Sequence, residues 1–271
     1  MKPLPVFAKG EPRRSATSEY VDIHSHVIYG VDDGAKTPDE SVQMLELART
    51  TGTHAIVATP HANARYRFDP GVIDQRISEL TARVDITIYR GCDFHLHVKN
   101  IDDAIANPRK YTINGQSYLL VEFSDVSVLD RAGVILDRLL DAGMIPIITH
   151  PERNVRLQEN SDLIAEWVVR GCYVQVTAGS FTGAFGRRVR STAYQLLKRG
   201  LMHVVASDAH DCDRRPPTLR DAYERLAGEW GEEVIRPLFV DNPQAVVEGN
   251  AIAYELGGRE LKGRKWYQFW G

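Results

Sequence analysis

One hydrophobic pattern repeats along the chain: apolar residues at helical spacing, a glycine, then a short β-branched run that ends in polar residues. It is plain four times. The stretch Pro38 to Thr51 ends at Gly52 and leads into HAIVATPH, and Asp130 to Ala142 ends at Gly143 and leads into MIPIITHPER. Ser161 to Arg170 ends at Gly171 before CYVQVTAG, and Arg188 to Arg199 ends at Gly200 before LMHVVASDAH. Glycine suits those positions because the residue that closes a helix often takes a left-handed conformation, which costs other residues energy. The first helix also carries a start signal. Thr37 is placed as N-cap, Pro38 at N1 and Glu40 as the partner in a capping box, with Val42, Leu45 and Ala48 on one face.

Adding YVDIH (20–24), DITIYRGCD (85–93) and SYLLVEF (117–123) gives seven candidate strands. Their interiors are nearly continuous apolar runs rather than alternating ones, the signature of parallel strands covered on both faces. Strands alternating with helices predict an α/β fold with right-handed crossovers. Seven such units, with no linker after Tyr20, predict one barrel domain over residues 20–271. Residues 1–19 carry prolines and charges without an apolar core, so they read as a disordered leader and not as a secretory signal.

The polar residues fall in informative places. Asp22, His24 and His26 close strand one, His61 follows strand two, Asp93 strand three and Glu122 strand four. His150 follows strand five, and Asp208 with His210 follow strand seven. In a parallel barrel these ends converge on the face where barrel enzymes place their chemistry. Imidazoles and carboxylates without thiolates suit Zn, Mn, Fe or Co, and so many donors ask for two or three ions. Without cations, that density of carboxylates would repel itself. His54 and His203 lie at strand starts and His95 and His97 lie beyond Asp93, so these four read as structural.

Composition narrows the classes. Thirty-three basic against thirty-six acidic residues leave a net charge of −3, with no basic excess for nucleic acid. Three cysteines, Cys92, Cys172 and Cys212, are far apart and form no C-x-x-C, which fits a reducing cytoplasm. The residues six beyond them are Val98, Ala178 and Thr218, so the C-x5-R motif of cysteine-dependent tyrosine phosphatases is absent. No apolar run approaches the ~18–20 residues of a membrane span.

Together, D-I-H-S-H-x-x-x-G-x-D-D-G at 22–34, T-P-H at 59–61, T-H-P-E-R at 149–153 and S-D-A-H at 207–210 resemble the polymerase-and-histidinol-phosphatase (PHP) superfamily. The D-D-G-A-K-T-x-x-E-S stretch, V-E-F at 121–123 and R-P-P at 215–217 are similar to its bacterial tyrosine-protein phosphatase branch from capsule and exopolysaccharide operons. The resemblance implies a distorted seven-stranded, TIM-like (β/α)7 barrel holding three divalent ions, commonly manganese or iron. It implies His24, His26 and Asp208 on the first metal, Glu122 and His150 on the second, and Asp33, His61 and His210 on the third. The family's bridging carboxylate is usually a Glu, where this chain has Asp93, one methylene shorter. Arg153 and Arg215 match phosphate-binding arginines, whose planar guanidinium grips two oxygens at once.

The implied reaction is hydrolysis of phosphotyrosine by water-derived hydroxide, in line with the tyrosyl oxygen and without a covalent enzyme intermediate. The implied substrate is the tyrosine-rich tail of a cytoplasmic bacterial kinase that controls polysaccharide export. Two alternatives are a PHP phosphoesterase for a small molecule such as histidinol phosphate, and a scaffold that has lost activity. The basic, aromatic loop ANARYRF (62–68) suits an acidic peptide or a solvated lid. The tail LKGRKWYQFWG reads as packing on the barrel or across a homo-oligomer contact, with contact to an anionic membrane surface or the kinase as the alternative.

Overall fold

A computed structural model describes residues 20–124 and 128–252, so the leader at 1–19 and the basic, aromatic tail lie outside the described residues. Each of the four glycines that follow a helix takes positive φ, from 67° at Gly200 to 104° at Gly52. The helices run over Pro38–Thr50, Ala132–Asp141, Ser161–Val169 and Gly186–Lys198, close to the stretches the pattern marks. Thr37 caps the first by accepting from the Glu40 amide at 3.2 Å. Glu40 reaches back one residue further than a capping box requires, to the Lys36 amide at 2.6 Å. The buried face is Met44, Leu45 and Ala48, with Val42 only partly covered.

The apolar runs form strands β1 (Tyr20–Ser25), β2 (Thr53–Ala58), β3 (His61–Ala62), β4 (Thr87–Arg90) and β5 (Asp93–His95). They continue with β6 (Tyr118–Glu122), β7 (Ile145–Thr149), β8 (Tyr173–Thr177) and β9 (Val204–Ala206). All ladder pairings are parallel. The expected seven strands are nine because two runs break. Pro60, which has no N–H for a ladder, separates β2 from β3. Gly91 and Cys92 separate β4 from β5, and a Cβ on Gly91 would sit 2.7 Å from Val57 Cγ1.

Each break moves the chain from one sheet to another. The first sheet has the order β1-β2-β4 and the second β3-β5-β6-β7-β8-β9, so no single seven-stranded ladder closes among the described residues. Two backbone bonds span the opening between β9 and β1, from Asp208 N to His24 O and from His26 N to Ala209 O, both 2.8 Å.

Alternation along the strands builds two apolar layers. Val21, Ile23, Val57, Leu120, Ile147 and Val204 pack in one cluster, and Ile56, Leu119, Val121, Ile148, Val174 and Val205 join the helices in another. Most strands are therefore buried on both faces, as the unbroken apolar runs require, while β4 is more open, with Thr87 exposed. Among the described residues, no helix is long and apolar enough to cross a membrane.

His203 belongs to this scaffold, as its position at a strand start implies. Its Nδ1 accepts from Val174 N at 3.2 Å, and its ring meets Tyr173 edge-on with centroids 4.9 Å apart. Burial lowers the imidazole to about 4, so it stays neutral in the fold while an unfolded histidine protonates near 6.5. The unfolded state thus binds more protons below about 6.5, and stability falls as the pH drops toward 4. Urea unfolding at pH 7 and pH 4.5 tests this. His203→Gln keeps an acceptor and should lose about 2 kcal/mol less stability over that interval than the unmutated chain; parallel losses would contradict the assignment.

Candidate metal centre

The strand ends place their polar side chains at one mouth. His24 and His26 are two residues apart on an extended segment, so both face inward. Their Nε2 atoms are 3.4 Å apart, too close for two protonated rings without an anion between them. Asp208 and Asp93 supply that charge: His24 Nε2 lies 3.4 Å from Asp208 Oδ1 and 3.6 Å from Asp93 Oδ2. The His26 ring packs against His61 and His210 at centroid distances of 4.5 and 4.0 Å. Asp33 approaches from the loop after β1, 3.3 Å from His61 Nε2 and 3.6 Å from His210 Nε2. On the far side His150 Nε2 stands 3.5 Å from Glu122 Oε1.

These contacts resolve into overlapping donor sets whose ligand atoms lie within 4.8 Å of one another: His26–Asp33–His61–His210, His24–His150–Asp208, His24–His26–Asp93 and Asp93–Glu122–His150. All nine residues that the resemblance implies as ligands are in them. A further set, His61–His95–Glu122, includes a residue assigned above to structure. His95 pairs with Glu122 directly and sits two residues beyond Asp93 on β5, so the two share a face. The same i, i+2 argument that singled out His24 and His26 would have found it. His54, His97 and His203 belong to none of the sets.

Asp22 corrects the other way. It faces away from the mouth, where its Oδ1 accepts from Ser207 N at 3.0 Å and His24 N at 3.3 Å, tying β1 to the segment after β9. It joins no donor set.

Behind the donors is a layer that orients them. Asp32 Oδ2 lies 2.7 Å from His26 Nδ1, Gln175 Oε1 3.0 Å from His24 Nδ1, and Asp208 O 3.0 Å from His210 Nδ1. Each acceptor fixes the proton on Nδ1 and turns the Nε2 lone pair toward the centre, as outer partners do for metal-binding imidazoles. Asp32 also accepts from Gly34 N at 2.9 Å and His61 N at 3.2 Å, joining three parts of the mouth. Neither Asp32 nor Gln175 was singled out from sequence, because second-layer contacts depend on tertiary register.

The backbone is bent to serve this layout. His150 (φ 32°) and Asp208 (φ 52°) are two of the three non-glycine residues with positive φ among the described residues. Such conformations cost roughly 1–3 kcal/mol each and persist where surrounding structure holds them.

The electrostatics show what the donors lack. Burial would raise Asp93 and Asp208, but His24 holds both well below the usual carboxylate range, helped at Asp208 by Arg153. Burial disfavours charge on His26, yet Asp32 outweighs it and raises the ring to about 9. Burial and then His26 lower His210 to about 3, and burial with Arg153 pushes His150 well down. Among the described residues, both Asp93 oxygens are buried without an aligned hydrogen bond, His61 Nδ1 approaching Oδ2 to 3.0 Å, and Glu122 Oε2 meets only the His95 and His61 imidazoles. Buried carboxylate oxygens without donors are costly unless a cation is supplied. The donor set therefore fits divalent cations.

Arg153 Nη1 and Arg215 Nη2 both donate to Asp208 Oδ2, placing two guanidiniums at the edge of the donors. Cys92 is fully buried, and burial pushes its thiol up, away from thiolate chemistry.

Parallel strands whose C-terminal ends gather imidazoles, carboxylates and a pair of arginines define a class of α/β hydrolase-type metal centres. Residues 20–248 match the capsular polysaccharide synthesis family CpsB/CapC, and the chain belongs to that family. It is 32% identical over 249 residues to the tyrosine-protein phosphatase CpsB of Streptococcus pneumoniae, covering 86% of this chain and 100% of that protein. It is 29% identical over 255 residues to the tyrosine-protein phosphatase YwqE of Bacillus subtilis, covering 92% and 99%. A solved structure described with YwqE and CpsB as unique metal-dependent tyrosine phosphatases superposes with a TM-score of 0.82, at 29% identity over 89% of this chain and 99% of that one.

The loop carrying Asp32 and Asp33 depends on Gly34. A Cβ there would lie 2.0 Å from His26 O and 2.5 Å from His26 Cβ, so no side chain fits without moving the backbone. Gly34→Ala should displace both carboxylates and lower affinity for one divalent ion by roughly 10–100-fold, the range seen when outer partners of metal ligands are lost. Titration of the metal-stripped variant with Mn or Co measures it; unchanged affinity at every site would contradict the role given to this loop.

Proposed function

We propose that this chain is a metal-dependent protein-tyrosine phosphatase that works with three divalent ions, manganese first among Mn, Fe, Zn and Co. The observation that carries this reading is the convergence of nine imidazole and carboxylate donors on one mouth, where the buried carboxylates of Asp93 and Glu122 have little but imidazoles beside them. The reading treats the two sheets as parts of one distorted seven-run barrel whose mouth gathers the donors.

His24, His26 and Asp208 would hold one ion, Glu122 and His150 a second, and Asp33, His61 and His210 a third. Asp93 would be shared between the first two, since it enters donor sets with His24 and His26 and with Glu122 and His150. His95 adds a nitrogen donor beside Glu122. Divalent cations bound there supply Lewis acidity, which polarises phosphoryl oxygens and makes water a nucleophile near neutral pH. The residues of this chain do the positioning. With Asp208 engaged by a cation, Arg153 and Arg215 would turn their planar donor edges from it to the phosphate oxygens of the ester. His150 and His210, held neutral, keep lone pairs for coordination at working pH.

The substrate in this reading is a phosphotyrosine-bearing tail of a bacterial tyrosine kinase in capsule or exopolysaccharide synthesis, met in the cytoplasm. A basic, aromatic lip supports a peptide: Tyr66 stacks on His61 with centroids 6.0 Å apart, and Arg65 lies 5.0 Å over the Tyr66 ring.

Activity of metal-stripped protein restored with Mn, Fe, Zn or Co tests the proposal, using a phosphotyrosyl peptide and histidinol phosphate. The expected result is metal-dependent turnover that favours the peptide; preference for histidinol phosphate would replace this reading with small-molecule hydrolysis. Arg215→Lys keeps the charge but loses the fork, and should raise KM for the peptide by about tenfold. Cys92→Ala should keep its turnover, and its loss would contradict a cysteine-independent mechanism.

A further inference from the structure

Phe185 lies beside the two arginines without a role in the donor sets. The Arg153 guanidinium stands over its ring, 5.0 Å from the centroid, while the same side chain donates to Asp208. The segment is shaped to present this ring. Gly183 and Gly186 bracket it with φ of 95° and 88°, which branched or bulky residues rarely adopt. Gly179 lies beneath, where a Cβ would come within 3.2 Å of Phe185 Cε2. The ring is half-buried, and it borders a cavity of about 240 Å³ that joins apolar lining at Ala178, Gly179 and Ala184 to a polar part with Arg215, Asp213 and Asp221.

We propose that Phe185 is a positioning residue for Arg153 and that the cavity beside it is the seat of an aryl group, so that this corner selects aromatic over alkyl phosphate esters. The inference rests on the phosphatase reading above and deepens it. The Asp208 oxygens that accept from Arg153 are also needed by a cation, so that contact competes with metal binding. The aromatic face attracts the guanidinium whether or not Asp208 is engaged. A contact on the ring face uses none of the guanidinium's N–H donors, which serve an ester's phosphate oxygens. A phenyl ring carried by that ester then lies between the Phe185 wall and Arg215, where an apolar face meets a second guanidinium; an alkyl chain makes less of both contacts.

The experiment uses the full chain loaded with Mn. Phe185→Leu should raise KM for a phosphotyrosyl peptide by roughly tenfold with little change in kcat, and shrink the preference over the matching phosphoseryl peptide by a similar factor. Phe185→Trp, which keeps an aromatic face, should restore KM. A general structural defect would move kcat and metal content as well and would not be rescued. Inhibition of the unmutated enzyme gives an independent reading: phenylphosphonate should bind roughly ten times more tightly than methylphosphonate. Equal inhibition by the two, or a Leu variant with unchanged KM and preference, overturns the aryl seat while leaving the phosphatase reading intact. Absence of turnover of either peptide by the metal-loaded, unmutated enzyme removes both.

Discussion

Asp208 is the point on which the structure turns. It is buried, its backbone is held at positive φ, and its two oxygens meet His24, His26, His150, Arg153 and Arg215. A carboxylate taken out of water needs compensating charge, and here two arginines and the His24 and His26 imidazoles provide it. Those arginines come from different strand ends, after β7 and after β9, so this one ionic contact draws separate loops to a common point. In the proposed reading, the guanidiniums that neutralise Asp208 would bind a phosphate once a cation took their place.

The rest of the fold delivers donors to that point. Parallel strands with both faces buried leave only their ends for polar groups, and every crossover returns the chain so that these ends fall on one side. The breaks at Pro60 and Gly91 serve the same purpose. They carry His61 and Asp93 into the second sheet, where the two pair directly in register. Aspartate is shorter than the glutamate that the resemblance leads one to expect at position 93. It still reaches His24 and His61 from this register, and His95 stands two residues on with a further nitrogen beside Glu122.

Much of this was legible in the amino-acid order. The helices, their closing glycines and the strand-end donors follow from local patterns, because helix caps and buried parallel strands leave strong marks over a few residues. Other features were not legible. Asp22 has the same residue type and nearly the same place as the ligands, but its side chain serves the backbone of the segment after β9, a contact settled by tertiary register. Asp32 reaches back to His26 through the fold of the loop after β1, and Gln175 acts on His24 from another strand. The two-sheet arrangement depends on how a proline and a glycine bend the ladder, which apolar periodicity does not encode. His95 was within reach, since the two-residue repeat from Asp93 puts it on the inner face.

The central claim is that the cluster is built for cations and that the arginines on Asp208 stand in for them. Diffraction from crystals soaked in manganese, with anomalous data collected at the manganese edge, tests it directly. The account expects anomalous peaks among His24, His26, Asp33, His61, Asp93, Glu122, His150, Asp208 and His210, with Arg153 and Arg215 released from Asp208. A map without peaks at those residues, with both guanidiniums still bound to the carboxylate, would contradict it.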